Sequence, residues 1–215
     1  KKLPSIFLAN EFFDAIPIKQ FLKYENIWFE KFVHVHNDKK IGFVNKQTDI
    51  RIIEKKVNFK ISEKQNFIEY SPLGFKYLTN IFKSIRENKG GLLIIDYGYF
   101  TEKMKNTLQA IYKQKYSKVL ENIGKSDITY NINFYLFKKI AKNFQDLDVN
   151  FTSQKNFLVN LGIKQRAEII SKNKTFTEKA DIFYRLKRLT NEKEMGDLFK
   201  VMLIKNLNND FQIGF

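Results

Sequence analysis

The chain has 215 residues, a formal net charge of +15, 22 Phe and no Cys. This length suffices for a domain with a hydrophobic core, and the lack of Cys excludes disulfides, thiolate metal sites and Cys nucleophiles. No apolar run approaches the roughly 18 residues of a spanning helix, so no membrane insertion is predicted. Because the Lys residues are dispersed, we attribute the charge to the composition of an AT-rich genome, and nucleic acid is not favoured as a partner.

The first informative stretch changes from apolar to polar within a few residues. Residues 6–8 are Ile-Phe-Leu and predict a strand buried on both faces of a parallel sheet. Asn10, Glu11 and Asp14 follow where the strand should end, and Pro17 excludes a regular helix there. Ligands of open α/β sheets bind beyond the carboxyl ends of strands, so this stretch is a candidate wall of a binding site. The alternative is a solvated acidic turn.

A helix and a second buried strand follow further along the chain. Ser71 is a suitable N-cap and Pro72 a favoured first residue, and residues 88–91, Asn-Lys-Gly-Gly, end the predicted helix. The aliphatic residues 92–95 then predict a parallel strand that ends at Asp96. This βαβ pattern brings the acids that follow both strands to one edge of the sheet.

Two alternatives concern the end of the second strand and a histidine pair. Gly98 predicts a tight turn after the strand, and Asp96 has the alternative role of capping a following helix. His34 and His36 share one face of a predicted strand, a spacing suited to a metal. No third ligand lies nearby in the sequence, so exposed strand histidines are favoured.

The remaining segments predict a β-rich insertion and further alternating elements. Residues 18–24, 27–35 and 40–44 predict a small antiparallel meander with a turn at Asn37-Asp38. Residues 45–66 are predicted to form a loop with at most one edge strand. Beyond these we predict a helix over residues 132–144 capped by Asp127, a strand over 148–153, helices from 157 to 189, and a closing strand over 197–204.

The motifs resemble one known family in order along nearly the whole chain. Residues 9–17, Ala-Asn-Glu-Phe-Phe-Asp-Ala-Ile-Pro, are similar to the signature of the MidA-like family of S-adenosylmethionine-dependent methyltransferases. Further resembling segments are residues 90–99, 107–110, 124–129, 157–158, 161–163, 166–167 and 199–201, with Gln154, Met195 and Gly196.

The resemblance implies a fold and a domain organisation. The fold class is α/β, the C-terminal part of a Rossmann-like class I methyltransferase sheet with a small antiparallel β insertion. We expect residues 1–215 to be a single methyltransferase-like domain, with residues 18–66 as the insertion. The sequence starts without Met at a predicted core strand. We therefore expect the domain to be incomplete at its N-terminus, with a cofactor loop upstream of Lys1.

The resemblance also implies an activity, a cofactor, partners and a location. The activity is methylation of a protein arginine with S-adenosyl-L-methionine as cofactor. Mitochondrial members of the family are assembly factors of respiratory complex I, so a complex I subunit is an expected substrate. The location would be the bacterial cytoplasm, or the mitochondrial matrix in a eukaryote.

The site residues are carried over from the same resemblance. Glu11 and Asp14 are the expected catalytic carboxylates and Asn10 the expected cofactor-binding residue, with no metal. The acceptor side would be lined by Asp96, Tyr97, Tyr99 and Asp127.

Four positions depart from the family pattern, and they leave two alternatives open. Gln114, Lys118, Asn131 and Asn133 stand where polar family residues are expected, a His, an Asp and two carboxylates. One alternative is therefore a catalytically inactive relative that acts in assembly or interaction. The other is a basic nucleic-acid-binding domain that uses dispersed Lys and aromatic residues.

Overall fold

The computed structural model describes residues 3–37 and 39–215. Its strands are β1 (Ser5–Asn10), β2 (Lys19–Tyr24), β3 (Ile27–Val35), β4 (Ile41–Thr48), β5 (Phe67–Tyr70), β6 (Gly90–Tyr99), β7 (Gln109–Tyr112), β8 (Lys115–Ser117), β9 (Asp127–Thr129), β10 (Ile132–Asn133), β11 (Leu147–Ser153) and β12 (Phe199–Asn206). Its helices are α1 (Arg51–Val57), α2 (Pro72–Asn88), α3 (Phe134–Ala141), α4 (Gln154–Asn160), α5 (Ile163–Ser171), α6 (Phe176–Thr190) and α7 (Met195–Leu198).

The described residues form two compact units. The first contains the chain up to Glu11, Ile81–Tyr99 and Phe144–Phe215, and the second contains Phe12–Asn80 and Phe100–Asn143. Among the helices of the described chain, none is both long and apolar enough to cross a membrane. The expectation that residues 18–66 form an insertion within one methyltransferase-like domain stays a prediction.

The first unit is built on a mixed sheet with the strand order β1-β6-β12-β11. β1 and β6 are parallel, whereas β12 is antiparallel to both β6 and β11. The fully buried side chains of Leu92, Ile94, Val201 and Ile204 form its core. The sheet confirms the two predicted parallel strands and the predicted closing strand, which is antiparallel, and with them the α/β fold class. The closing strand starts at Phe199 because the short helix α7 precedes it.

The prediction that the first strand is buried on both faces was wrong. Ile6 is 84% exposed and Leu8 is 69% exposed, whereas Ala9 is buried. Side chains alternate between the two faces of a strand, and the described residues cover only the face that contains Ala9. β1 is also an edge of the described sheet, since its one partner there is β6.

Helix α2 confirms its predicted start and end. The Ser71 hydroxyl accepts a hydrogen bond from the Gly74 backbone N–H at 2.9 Å, as an N-cap residue should. After Asn88, Lys89 takes a left-handed conformation with φ 62°, which turns the chain into β6. The predicted tight turn at Gly98 was wrong, because β6 continues through that residue to Tyr99.

The second unit contains the predicted antiparallel meander. β2, β3 and β4 pair in sequence, and β5 joins β2 to give the order β4-β3-β2-β5. Asn37 of the predicted turn lies in a turn, whereas Asp38 is outside the described residues. The loop predicted over residues 45–66 was wrong in part: β4 extends to Thr48 and is followed by α1, whose Ile53 and Val57 are buried.

Helix α3 of the second unit does not start where the sequence predicted. Asp127 lies in β9, which pairs with β7, and so it caps no helix. The cap of α3 is Asn133, whose side-chain oxygen accepts a hydrogen bond from the Leu136 backbone N–H at 3.1 Å. The prediction failed because residues 127–133 form short strands, so the helix is shorter than its sequence pattern suggested.

Candidate active site

The carboxyl end of β1 holds Asn10 and Glu11 beside the middle of β6. Asn10 is exposed and lies opposite Ile95 in the parallel register. The Glu11 backbone N–H donates a hydrogen bond to the Ile95 carbonyl oxygen at 3.0 Å, which extends the pairing by one residue. Glu11 then takes a left-handed backbone conformation with φ 46°. Such a conformation is costly for a residue other than Gly and concentrates at functional sites.

Asp14 follows in a tight turn and is buried. The backbone N–H of Ile16 donates to the Phe13 carbonyl at 3.2 Å, and Phe13 itself is fully buried. The Asp14 side chain is only 5% exposed, and its backbone carbonyl accepts a hydrogen bond from the Tyr130 N–H at 3.2 Å. The alternative of a solvated acidic turn therefore holds for the exposed Glu11 and fails for Asp14.

β6 places the predicted acceptor residues on opposite faces of its sheet. Asp96 is fully buried on the face of Leu92 and Ile94, and its Oδ1 accepts the Tyr97 backbone N–H at 2.9 Å. Tyr97 lies on the other face, with its ring centroid 4.1 Å from that of Phe199. No helix begins in residues 97–133, all of which are described, so the capping role considered for Asp96 was wrong.

The strand register determines which of the predicted residues share a face. Since paired residues of neighbouring strands point the same way, Asn10, Tyr97 and Tyr99 share one face, and Asp96 points to the opposite one. Asp127 is an exposed residue of β9, paired with Ile111 in the second unit.

A buried carboxylate that the sequence analysis missed lies in the second unit. Glu69, on β5, is 4% exposed. It accepts hydrogen bonds from the Gln20 side chain at 2.6 Å and from both the backbone N–H and the hydroxyl of Thr107. Gln20 also donates to the Asn106 side-chain oxygen at 2.9 Å. Burial raises the pKa of Glu69, and the hydrogen bonds from Thr107 and Gln20 oppose that rise only in part.

The Glu69 network fixes two chain segments. The Thr107 hydroxyl, besides donating to Glu69, accepts the Asn131 backbone N–H at 2.9 Å. A second buried amide, Gln65, binds the same segment through the Glu102 carbonyl at 2.8 Å and the Met104 N–H at 2.9 Å. In the sequence, Glu69 is an acid between two apolar residues of a short strand. When the flanking residues are also buried, both faces of the strand lie against the protein interior, and the acid is buried with them.

The four positions that depart from the family pattern have different surroundings. Gln114 lies in the turn between β7 and β8 with φ 61°, and Lys118 is exposed. Asn133 is buried and caps α3, whereas Asn131 is only partly buried and its backbone N–H donates to the Thr107 hydroxyl. Among the described residues, Asn133 Nδ2 has no hydrogen-bond partner. It lines a cavity of about 20 Å³, which is large enough for one water molecule.

The part of the chain that the structure describes contains no cluster of potential metal ligands. There, no group of three or more His, Cys, Asp or Glu could hold a metal ion. The rings of His34 and His36 lie edge to face with centroids 4.8 Å apart.

The described fold has counterparts among solved structures. A Burkholderia thailandensis protein bound to S-adenosyl-homocysteine superposes with a TM-score of 0.79 at 20% identity, over 100% of this chain and 56% of that one. This likeness shows that the chain has the same α/β fold as the matched part of that protein.

Family membership follows from the sequence comparisons. Residues 1–152 match the family described as "putative S-adenosyl-L-methionine-dependent methyltransferase", and the chain belongs to that family. The zebrafish (Danio rerio) mitochondrial protein arginine methyltransferase NDUFAF7 is 28% identical over 204 residues, which are 94% of this chain and 47% of the relative. Its Caenorhabditis elegans homolog is 27% identical over 164 residues, 75% of this chain and 38% of the relative. The chain thus spans about half the length of the curated relatives it matches.

Proposed function

We propose that the protein transfers a methyl group from S-adenosyl-L-methionine to an arginine of a protein substrate. The observation that carries the proposal is the carboxyl edge of the parallel pair β1–β6. There an exposed carboxylate in a strained backbone conformation follows an exposed Asn, in a chain that belongs to the methyltransferase family. Relatives named protein arginine methyltransferases support arginine as the acceptor.

The proposed role of Glu11 follows from the chemistry of methyl transfer. The sulfonium of the cofactor supplies an already activated methyl group, so the protein mainly has to align the acceptor nitrogen. A carboxylate can bind a guanidinium through two parallel hydrogen bonds and so fix its plane. Glu11 is exposed and can therefore receive an arginine side chain. Asp14 is the second carboxylate proposed for this role.

The remaining predicted residues have proposed roles at the cofactor and on the acceptor side. The exposed Asn10 amide can both donate and accept hydrogen bonds, which suits the mixed polar groups of S-adenosyl-L-methionine. Tyr97 and Tyr99 share its face of the sheet and are proposed to line the acceptor side. Asp96 and Asp127 remain proposed substrate residues, Asp96 by orienting its neighbours from a buried position and Asp127 from the surface.

The substrate and the location are proposed from the family. The relatives named protein arginine methyltransferases support a protein substrate, and the resemblance to complex I assembly factors supports a subunit of respiratory complex I as that substrate. The curated relatives are named mitochondrial, which supports the mitochondrial matrix in a eukaryote. In a bacterium the corresponding place is the cytoplasm.

Substitution of Glu11 by Gln tests the proposed function. In the product of the complete gene, Glu11→Gln should leave affinity for S-adenosyl-L-methionine nearly unchanged while methyl transfer falls steeply. Loss of one charge-assisted contact made mainly in the transition state corresponds to roughly 2–4 kcal/mol, or about 30- to 1000-fold in rate. Radiolabelled methyl incorporation into a lysate of cells that lack the enzyme measures the rate.

Glu25 offers a matched control for this experiment. Like Glu11 it is an exposed Glu with a left-handed backbone, φ 45°, but it lies in the turn between β2 and β3. Glu25→Gln should keep wild-type incorporation. Wild-type incorporation by Glu11→Gln would reduce Glu11 to a surface turn residue. An inactive wild-type protein that still binds the cofactor would favour the alternative of an assembly module.

A further inference from the structure

The hairpin of β3 and β4 extends beyond the rest of its sheet. β2 pairs with β3 over Ile27–Glu30, whereas the pairing of β3 with β4 continues to Val35 and Ile41. In the described part of the sheet, residues 31–35 therefore have a neighbour on one side only. This leaves the far end of the hairpin as a protrusion with both of its faces open.

One face of the protruding end is apolar. Val33 pairs with Phe43 and Val35 pairs with Ile41, so these four side chains lie on the same face. We call this set the tip patch. Val33 and Val35 are 59% and 60% exposed, and Ile41 and Phe43 are both 41% exposed. Single exposed apolar residues are common on proteins, whereas a contiguous group of this kind marks an interaction surface.

Positive charge surrounds the tip patch. Residues 31–46 contain four Lys and a single Asp. Lys31 Nζ lies 4.2 Å from the centroid of the Phe43 ring, so its alkyl stem and charge border the patch directly. Lys39 is exposed in the turn next to it. An apolar surface bordered by long cationic side chains matches the layered chemistry of an anionic lipid surface, with acyl chains below phosphate groups.

We propose that the tip patch binds the protein peripherally to membranes that contain anionic phospholipids. A second copy of the chain fits poorly as the occupant, because the Lys residues around two facing patches would repel each other. An acidic protein segment would pair with the Lys side chains, but it offers no continuous apolar layer for the four side chains of the tip patch. A bilayer supplies both, with acyl chains for the apolar side chains and phosphates for the Lys side chains. This proposal does not depend on the methyltransferase activity.

Sedimentation with lipid vesicles tests the proposal. The purified protein should bind vesicles of phosphatidylcholine mixed with phosphatidylglycerol, and should bind pure phosphatidylcholine vesicles much less. The double variant Val35→Ser/Phe43→Ser should bind the mixed vesicles roughly tenfold more weakly or worse, because apolar burial is lost. Lys31→Gln/Lys39→Gln should lose roughly 25-fold, since each Lys near an anionic surface contributes about a fivefold effect.

A matched control separates the tip patch from general surface hydrophobicity. Phe176 on α6 is 88% exposed, more than Phe43, and Phe176→Ser should bind vesicles like the wild type. Trp28, the only Trp, lies buried in β3, so its fluorescence reports whether each variant keeps the sheet intact. If the apolar variant unfolds, the Lys variant still decides.

Three results would overturn the proposal. Equal binding to neutral and mixed vesicles would remove the role of anionic lipid. Wild-type vesicle binding by the Lys31→Gln/Lys39→Gln variant would remove the role of the hairpin. Saturable binding to polyglutamate, lost in the same variants and without any vesicle binding, would assign the patch to an acidic protein partner instead.

Discussion

Glu11 shows how a single residue converts the end of a strand into a candidate site. Its N–H still completes the ladder to Ile95, while its φ of 46° turns the following residues out of the sheet. A β-branched residue would not tolerate this conformation, whereas an exposed Glu can hold it at a cost of roughly 1–3 kcal/mol. The strain is therefore retained at a position whose side chain is available to a ligand.

Glu69 leads to a prediction about stability and pH. Because burial raises its pKa in the folded state above the unfolded value, the folded state binds more protons between the two pKa values. The contribution of Glu69 to the free energy of unfolding is therefore largest below the unfolded pKa and falls as pH rises through the folded pKa. Urea unfolding of wild type and Glu69→Gln across this range should show an advantage of the wild type that shrinks with rising pH.

The hydrogen bonds of Glu69 determine how much stability the loss of its side chain should cost. Below the unfolded pKa, Glu69→Ala should cost about 1–3 kcal/mol, since it leaves the Thr107 N–H and the Gln20 amide without their acceptor. Glu87 on α2 is exposed, and Glu87→Ala should leave the free energy of unfolding close to the wild-type value. An advantage of the wild type over Glu69→Gln that grows with pH would contradict a raised pKa.

At the scale of elements, the sequence predicted what continuous patterns specify. The aliphatic run of β6 and the Ser71-Pro72 start of α2 depend on local chemistry, and both were confirmed. Gly98 was assigned to a turn because glycine permits one, but the strand β6 continues through it. Asp127 is a good N-cap by type, yet pairing with β7 places it in a strand. At Gly98 and Asp127, strand pairing thus outweighed the local conformational preference of the residue.

The candidate site was predictable only where its residues follow an apolar run. Asn10 ends β1 and Glu11 follows it, and the parallel register brings β1 and β6 together as predicted. The predicted strand end at Asp96 was wrong, because β6 continues to Tyr99. The burial of Asp14 and the exposure of Ile6 depend on which segments cover each face. Periodicity cannot specify that, because it records alternation and not what lies against the strand.

A substitution at Gly90 can test the contact between β1 and β6 in the first unit. It has φ 118°, and a Cβ placed there would lie 2.2 Å from the Ser5 carbonyl oxygen of β1. Gly90→Ala should therefore separate the start of β1 from β6 and lower the free energy of unfolding by roughly 3 kcal/mol or more, from strain and clash together. Denaturant unfolding followed by circular dichroism measures the change.

Gly124 provides the matched control. Its φ of 75° is also left-handed, but no atom lies within 4 Å of the position that a Cβ would take. Gly124→Ala should cost only about 1 kcal/mol, the conformational share alone. Equal stability of the two variants would contradict this prediction, because the close approach of β1 to β6 at Gly90 would then have no effect on the free energy of unfolding.

For the whole molecule, the net charge of +15 and the acidic candidate site have separate consequences. Glu11, the carboxylate that we propose binds the acceptor, would favour a cationic group such as a guanidinium, which a basic surface at large would repel. Local pairing outweighs that repulsion because exposed charges separated by more than about 10 Å are largely screened by physiological salt. The general charge instead suits anionic partners, including the lipid surface proposed for the tip patch.

The affinity for S-adenosyl-L-methionine depends on the chain as a whole. Methyltransferases of this class hold the cofactor partly on a glycine-rich turn, and no G-x-G-x-x-G sequence occurs in the 215 residues. Asn10 alone cannot replace the backbone donors of such a turn. Calorimetry should therefore show weak or no binding of S-adenosyl-L-methionine to these 215 residues and clear binding to the full-length zebrafish relative, of which the match covers 47%. Micromolar affinity of the 215 residues would contradict this, and its loss in Asn10→Ala would then locate the cofactor at the end of β1.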